Sequence, residues 1–305
     1  MRKCNYHPLL DSYIDAVRSE RLPASNDIKR AMDYIECKLN NPDVVIKTDM
    51  IDKAVELTEK YFEIKLLDWE LFLFALIHCY YKSTDTVVFS EYLIMMGRGN
   101  GKNGFISPVA WYLTTHYHGI SDYNVDIIAN NEDQAKTSFD DVHGVLERNW
   151  LKLKRFFYKS KQAIVNLKTN SYIKFNTSNA KTKDGKRSAC LIFDEIHEYK
   201  NYDTIKVFTS GFGKKKHSRT FYITTNGYVR GGVLDEQLAL AEQVLNGEIK
   251  DLKFLPLLYR IDKKEEALDP DMWVKANPSL PHFPLLKTEM DQDFIKMKYQ
   301  SHTAI

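Results

Sequence analysis

Over residues 9–60, apolar side chains recur three and four positions apart, a spacing that predicts amphipathic helices. Ser25 or Asn26 is expected to cap the second of these helices. The segment at residues 68–81 is apolar on all sides and predicts a buried helix with Asp68 as its N-cap. The first part of the chain is therefore predicted to be helical.

From residue 86 onward, short apolar runs alternate with amphipathic segments. Strands are predicted at residues 87–89, 92–96, 125–129, 163–167, 172–175, 190–193, 220–225 and 254–261. Helices are predicted at residues 104–115, 132–146 and 234–245. Strands separated by helices predict an α/β fold whose mainly parallel sheet is covered by helices on both faces. The fourth and fifth strands have only a short polar turn between them and predict a hairpin.

These patterns divide the chain of 305 residues into three parts. We expect an N-terminal helical region over residues 1–60, an α/β domain over 61–262 and a C-terminal linker over 263–305. The longest apolar stretches are too short to span a bilayer, so no membrane association is expected. The four cysteines are scattered without metal-ligand spacing and are expected to be reduced thiols.

Charge alone does not identify a partner, because the formal net charge is only +2. Two stretches, residues 152–161 and 214–219, are locally basic. Each is either a solvated surface or a surface that contacts phosphates, and the sequence leaves both interpretations open.

A glycine-rich segment between a predicted strand and a predicted helix has the composition of a phosphate-binding loop. Its residues are Gly97, Arg98, Gly99, Asn100, Gly101, Lys102 and Asn103. Small residues let backbone N–H groups curl around phosphate oxygens, and the lysine reaches the terminal phosphates. The usual first glycine is Met96 here, and the usual Mg²⁺-binding hydroxyl is replaced by Asn103, whose carbonyl oxygen is the remaining candidate ligand. A loop without nucleotide is the alternative.

Two adjacent carboxylates, Asp194 and Glu195, end a predicted buried strand. Ligands of α/β sheets lie at the carboxyl ends of strands, so Asp194 is a candidate for holding Mg²⁺ and Glu195 for polarising an attacking water. A third segment, Thr224-Thr225-Asn226-Gly227, also follows a strand, and Thr225 and Asn226 are candidates for sensing the γ-phosphate. A strand meeting solvent and a simple Asn-Gly turn are the respective alternatives.

The three segments, in this order, resemble those of the large terminase subunits of tailed phages. Members of that family commonly carry an Arg-x-x-Gly-Lys loop without the first glycine, which residues 98–102 match. Trp69 and Glu70 resemble the family's Trp-Gln element that contacts adenine, although a core aromatic is the alternative for Trp69. Further similar segments are Asn130–Ala135, Asp184-Gly185, Asp269-Pro270, Trp273 and Ala276–Pro278.

The resemblance implies a P-loop NTPase-type domain that binds ATP and Mg²⁺ and drives double-stranded DNA into a procapsid in the host cell cytoplasm. It further implies a small terminase subunit, a portal protein and a homo-oligomeric ring as partners. Within such a site, Arg98 is a candidate for stabilising charge in its own subunit. Arg187 is the first candidate for an arginine supplied to a neighbouring subunit, ahead of Arg148 and Arg219.

Other classes stay open at this stage, and the alternatives are a helicase-like ATPase and a DNA-binding module with a degenerate nucleotide site. The replacement of the loop hydroxyl by Asn103 and of the expected glutamine by Glu70 keeps the second alternative in play. The acids near the end of the sequence form no cluster like that of the nuclease domain that usually follows in this family. DNA cleavage by this chain alone is therefore not expected.

Overall fold

A computed structural model describes residues 5–177 and 187–299. Its N-terminal part is helical, as the apolar spacing predicts. The helices are α1 (Pro8–Arg18), α2 (Asn26–Leu39), α3 (Thr48–Phe62) and α4 (Asp68–Leu76). Ser25 is the N-cap of α2, because its Oγ accepts a hydrogen bond from the backbone N–H of Ile28 at 3.3 Å.

A small antiparallel sheet interrupts this region. Its strands are β1 (Val44–Ile46), β2 (Cys79–Tyr81) and β3 (Thr86–Val87), with β2 in the middle. The predicted helix at residues 68–81 is therefore wrong beyond Leu76, and Asp68 is its first residue rather than its cap. The spacing of apolar residues alone does not distinguish a buried strand from a buried helix. Here pairing with β1 determines the conformation of residues 79–81.

The second part of the chain forms the predicted α/β sheet. Its strands are β4 (Glu91–Met95), β5 (Asn124–Ala129), β6 (Phe157–Lys159), β7 (Ile164–Asn166), β8 (Ser171–Thr177), β9 (Ser188–Asp194), β10 (Arg219–Thr224) and β11 (Phe254–Leu258). The helices are α5 (Lys102–Leu113), α6 (Glu132–Arg148), α7 (Trp150–Leu153), α8 (Asp203–Thr209) and α9 (Val233–Leu245). The strand order is β11-β4-β10-β9-β5-β8-β7-β6. All pairs from β11 to β8 are parallel, and β8-β7-β6 is antiparallel.

The register of three central strands brings their carboxyl ends to one edge of the sheet. Thr224 of β10 lies opposite Met95 of β4, and Ile223 lies opposite Asp194 of β9. Neighbouring strands lie ~4.8 Å apart, so the segments that follow β4 and β9 emerge about 10 Å from each other, on either side of β10. This edge is called the nucleotide edge below.

Side chains of the central strands alternate between two apolar layers. Ile192 of β9 packs in the layer that also contains the N-terminal helices, whereas Leu191 packs in the layer that contains α8 and α9. Residues of α1 and α2 belong to the same buried cluster as the sheet. The division at residue 60 stays a prediction, and the apolar core is continuous across it.

The C-terminal segment is compact rather than extended. Three short 3₁₀ turns, at Lys264–Leu268, Pro270–Lys275 and Leu280–His282, lead into α10 (Pro284–Tyr299). The predicted final helix is present, and residues 276–279 contact the glycine-rich loop. That residues 263–305 act as a linker stays a prediction. In the described part of the chain, no helix combines the length and hydrophobicity needed to cross a membrane.

Glu70 lies in the first turn of α4 and is almost fully buried, with 6% of its surface exposed. Its Oε2 accepts a hydrogen bond from the backbone N–H of Leu67 at 2.7 Å and thereby caps the helix. Burial raises the pKa of Glu70 to about 7, and the Leu67 hydrogen bond opposes this shift only in part. The folded protein therefore retains a proton on Glu70 at pH values where the unfolded chain has released it.

We predict that Glu70→Gln removes a pH-dependent loss of stability. Because the folded pKa lies above the unfolded value, the native carboxyl group destabilises the protein increasingly as pH rises from about 4.5 to about 7. Glutamine keeps the acceptor for Leu67 without a charge. The difference in unfolding free energy between the variant and the native protein should therefore be larger at pH 8 than at pH 5, in favour of the variant, by on the order of 1–3 kcal/mol. Urea unfolding at both pH values measures the difference. Glu248→Gln, at an exposed position, is the control. Equal pH dependence of native and Glu70→Gln proteins would contradict the prediction.

Candidate functional site

The glycine-rich loop joins the carboxyl end of β4 to the amino end of α5. Gly99 and Gly101 have positive φ angles of +76° and +80°, a conformation that side chains with a Cβ rarely adopt. Gly101 is also the N-cap of α5, a helix of 12 residues. The free N–H groups and the positive end of the helix dipole therefore meet at this loop, which favours an anion such as a phosphate.

Residues of the C-terminal segment hold this loop in place through hydrogen bonds. The backbone N–H of Gly97 donates to the carbonyl of Ala276 at 2.8 Å. The side chain of Asn100 is 1% exposed and donates to Oδ1 of Asn277 at 2.6 Å, while its Oδ1 accepts from the N–H of Ser279 at 3.1 Å. The Ser279 hydroxyl donates to the carbonyl of Asn100 at 2.8 Å. These bonds hold the loop in its curled shape with protein groups alone.

Lys102 is buried at the first position of α5, and its Nζ lies 3.4 Å from the carbonyl oxygen of Gly97. Burial lowers the pKa of Lys102, the charges of Glu195 and Asp194 act in the opposite direction, and the charge of Arg98 adds to the lowering. These influences show that the loop lysine and the two acids lie within electrostatic range of each other. The structure thus brings the first and second predicted segments together at the nucleotide edge.

Asp194 ends β9 with only 3% of its surface exposed, and its Oδ1 is buried without a hydrogen-bond partner. Burial, followed by the charge of Glu195, raises the pKa of Asp194 to about 7, although Lys102 opposes the shift. A buried carboxylate oxygen without a donor fits a site for a hard cation. Asn103 lies half-buried at the start of α5.

The described residues contain no group of three or more His, Cys, Asp or Glu side chains that could enclose a metal ion. Mg²⁺ is commonly held by one or two carboxylates together with waters and substrate phosphates, so a single aspartate beside a phosphate loop fits this ion. The residues present are therefore compatible with a magnesium–phosphate complex rather than with a metal site built from protein ligands alone.

Glu195 follows Asp194 in the left-handed conformation, with φ +50°. Its Oε2 accepts a hydrogen bond from the backbone N–H of Thr225 at 3.3 Å and lies 3.0 Å from Nδ1 of His197. Burial disfavours ionisation of Glu195, but the His197 hydrogen bond and the Lys102 charge leave its pKa below the ordinary value. A partly buried, ionised carboxylate at this edge has the charge state that a general base requires.

The third predicted segment also reaches this edge. Thr225 is buried beside Glu195, and its Oγ1 has no hydrogen-bond partner. Asn226, the next residue, is exposed. Thr225 therefore lies beside the acids, and the role of both residues in sensing phosphate stays a prediction.

The predicted adenine-contacting pair is placed differently from the loop and the acids. Trp69 is 2% exposed, its ring packs against Phe105 at 5.5 Å between centroids, and its Nε1 donates to Oγ of Ser279 at 2.9 Å. Stacking on a base would require this ring to move, and Glu70 is occupied as a helix cap. The adenine contact stays a prediction, and the observed role of Trp69 is to support the segment that fastens the loop.

Of the candidate arginines, Arg98 lies at the nucleotide edge, since it is exposed on the loop itself. The other candidates lie elsewhere in the protein. Arg187 is exposed just before β9, about 20 Å along the strand from Asp194, so it lies away from the nucleotide edge of its own chain. Arg148 ends α6, a 17-residue helix that starts at the nucleotide edge and runs away from it.

The expectation that Arg219 could reach the site of a neighbouring subunit is wrong, because its side chain is fully buried. It donates to the carbonyl of Ile77 and to the hydroxyls of Tyr80 and Tyr123. In the same basic stretch, Lys216 pairs with Asp85. The stretch at residues 214–219 is therefore mostly engaged within the protein, and the phosphate-contacting alternative loses its support there.

Sequence patterns alone missed three residues that complete the site, namely His197, Asn277 and Ser279. His197 stands two positions after Glu195, and that proximity was the available signal. Asn277 and Ser279 lie about 180 residues from the loop in sequence, and a single sequence gives no sign of that contact. The predicted Asp184-Gly185 element lies outside the described residues.

We predict that Gly97→Ala disrupts the contact between the loop and the C-terminal segment. A Cβ at residue 97 would lie 2.1 Å from Oδ1 of Asn277, so Asn277 must move and leave buried polar groups unpaired. The free energy of unfolding should fall by about 1–3 kcal/mol. Gly104→Ala is the matched control, because a Cβ there meets no atom within 4 Å and the position is helical. Equal stability of the two variants in urea would contradict the predicted contact.

Comparisons with known proteins agree with this arrangement. The model of the family "Terminase large subunit, ATPase domain" matches residues 68–243. The chain is 25% identical over 261 residues to the terminase large subunits of Lactococcus phages p2 and SK1, which covers 79% of this chain and 47% of each relative. The crystal structure of the HK97 bacteriophage large terminase superposes with a TM-score of 0.71 at 17% identity, over 82% of this chain and 52% of that one.

The structural likeness shows a shared α/β fold, in agreement with the fold class that the sequence predicts. The chain spans about half the length of the curated relatives that it matches. The family match covers more than half of the chain and includes the glycine-rich loop, the two acids and the third segment. The chain therefore belongs to the terminase large subunit family and carries its ATPase domain.

Proposed function

We propose that this domain binds ATP with Mg²⁺ and hydrolyses it to drive the packaging of double-stranded DNA into a procapsid. One observation carries the proposal: Lys102, Asp194 and Glu195 converge at the nucleotide edge, with a buried Asp194 oxygen that lacks a partner. Such a set of groups suits phosphoryl transfer, in which catalysis is mostly positioning and charge stabilisation.

Each residue has a distinct role in this proposal. The loop amides and Lys102 bind the β- and γ-phosphates, and the exposed Arg98 adds positive charge beside them. Asp194, together with Asn103, would hold Mg²⁺, which when bound neutralises charge on the phosphate oxygens. Glu195 accepts the proton of the attacking water, which its ionised state allows.

The partners belong to the same proposal. We infer that the domain works in the host cell cytoplasm as part of a homo-oligomeric ring that is docked on a portal protein, with a small terminase subunit as the partner that recognises DNA. A ring allows a neighbouring subunit to supply an arginine to the site, a contribution of about 10³–10⁵-fold in rate where it occurs. Arg187 and Arg148 are exposed and are the remaining candidates for that contact.

We predict that Glu195→Gln lowers kcat for ATP hydrolysis by ~10²–10⁴-fold while ATP binding is retained, because the amide cannot accept the proton of water. Lys102→Ala should instead weaken Mg²⁺-dependent ATP binding, since it removes the charge that faces the phosphates. Steady-state hydrolysis and calorimetric titration with Mg²⁺–ATP measure the two effects, and Lys250→Ala, at an exposed position, is the control.

The same measurements decide between this function and its alternative. Full turnover by Glu195→Gln would remove that residue from the mechanism. Failure of the native chain to bind ATP in the presence of Mg²⁺ would instead favour a DNA-binding module with a degenerate nucleotide site.

A further inference from the structure

His197 occupies a fixed position next to Glu195. It lies on the 3₁₀ turn Ile196–Glu198 that follows β9, and 8% of its surface is exposed. The ring fills a slot that exists only because residue 227 is glycine, since a Cβ at Gly227 would lie 2.2 Å from Cδ2 of His197. The backbone N–H of His197 also donates to Oγ1 of Thr224 at 3.2 Å. The ring is therefore held by the third segment as well as by its own turn.

The hydrogen bonds around Nδ1 of His197 assign its proton. Nδ1 lies 3.0 Å from Oε2 of Glu195 and 3.1 Å from Oγ1 of Thr224. The Thr224 hydroxyl uses its single proton to donate to the carbonyl of Thr225 at 2.8 Å, so toward the ring it only accepts. The Glu195 carboxylate also accepts. Both neighbours are acceptors, and Nδ1 must therefore carry a proton that the two oxygens share.

The same network determines which Glu195 oxygen is available to water. The N–H of Thr225 and the Nδ1–H of His197 both bind Oε2. Among the described residues, these two groups are the ones that donate hydrogen bonds to the Glu195 carboxylate. Oε1 is therefore the oxygen that can face a water molecule. Rotation of the carboxylate would break both bonds, so its orientation is coupled to the third segment.

We propose that His197 is a positioning residue for the hydrolysis of ATP: its Nδ1–H orients Glu195 and links that base to Thr224 and Thr225. The inference rests on the proposed function, because it acts through Glu195. It assigns a route by which a displacement of the third segment changes the orientation of the base. This route consists of two hydrogen bonds to the same oxygen of Glu195, one from Nδ1–H of His197 and one from the backbone N–H of Thr225.

Two substitutions separate positioning from simple packing. His197→Phe keeps the aromatic volume in the Gly227 slot but has no donor. His197→Asn loses volume but presents its side-chain N–H₂ close to where Nδ1 lies. A packing role predicts that the phenylalanine variant is the more active of the two, whereas a positioning role predicts the opposite order.

The experiment measures kcat, KM and the calorimetric affinity for Mg²⁺–ATP of the whole chain and both variants, with thermal unfolding as the test of folding. His197→Phe should lower kcat by about 10- to 100-fold, less than the ~10²–10⁴-fold expected for loss of the general base itself, with KM and affinity within about threefold of native. His197→Asn should recover part of that loss. A His197→Phe enzyme with native kcat, or one more active than His197→Asn, would overturn the proposal.

A double-mutant cycle tests the link to the third segment. Thr224→Val removes the hydroxyl that shares the His197 proton and keeps the side-chain shape. If the two residues act through one network, the loss in kcat of the double variant is smaller than the product of the single losses. Fully multiplicative losses would show that His197 and Thr224 act separately and would overturn the link.

Nuclear magnetic resonance of isotope-labelled histidine adds a readout that does not depend on ATP hydrolysis. The His197 signal, assigned by its loss in His197→Asn, should show a protonated Nδ1 in the native chain. A proton on Nε2 alone would contradict the proposal even if the domain is an active ATPase. Conversely, native turnover by Glu195→Gln would remove Glu195 from the mechanism and end this inference, while the proposed ATPase function would stand.

Discussion

The buried side chain of Asn100 makes the contacts on which the glycine-rich loop depends. A loop that binds an anion through its own N–H groups cannot use those groups to stabilise its shape, so other bonds must hold it. Asn100 supplies them, since it bonds Gly97 within the loop and Asn277 and Ser279 outside it. The loop is therefore shaped by the C-terminal segment, and Trp69 supports that segment in turn.

This arrangement makes the C-terminal segment part of the proposed nucleotide site. Phe283 and Leu286 lie over the loop, because a Cβ at Gly101 or Gly99 would meet them at 3.9 Å and 3.0 Å. A movement of the loop on binding phosphate would therefore displace both the polar contacts and α10.

Burial governs the chemistry at the nucleotide edge. It lowers the pKa of Lys102 and raises that of Asp194, while the opposite charges of the two groups counteract both shifts. Lys102 and Asp194 therefore each favour the charged form of the other, whereas Arg98 disfavours the charged form of Lys102 and Glu195 that of Asp194. A magnesium–triphosphate brings both signs of charge, and so it complements the lysine and the aspartate at once.

Local patterns in the sequence predicted the loop, the paired acids, the third segment and the mainly parallel sheet. These features depend on short spacings and on the rule that strand ends share an edge, and the structure has them where the sequence indicates. The direction of β9 could also have excluded Arg187 from this edge, because it precedes the strand that Asp194 ends. The contact between Asn100 and Asn277 could not be predicted, since nothing in the local pattern links positions so distant in sequence.

We propose that Lys102, Asp194 and Glu195 surround one magnesium–triphosphate. A crystal structure of the chain with Mg²⁺ and a non-hydrolysable ATP analogue tests it most directly. We expect the β- and γ-phosphates against the loop and Lys102, the metal ion on the Asp194 side of them, and Glu195 facing the γ-phosphate through a water molecule. An analogue bound away from the loop, or a metal ion with no route to Asp194, would contradict it.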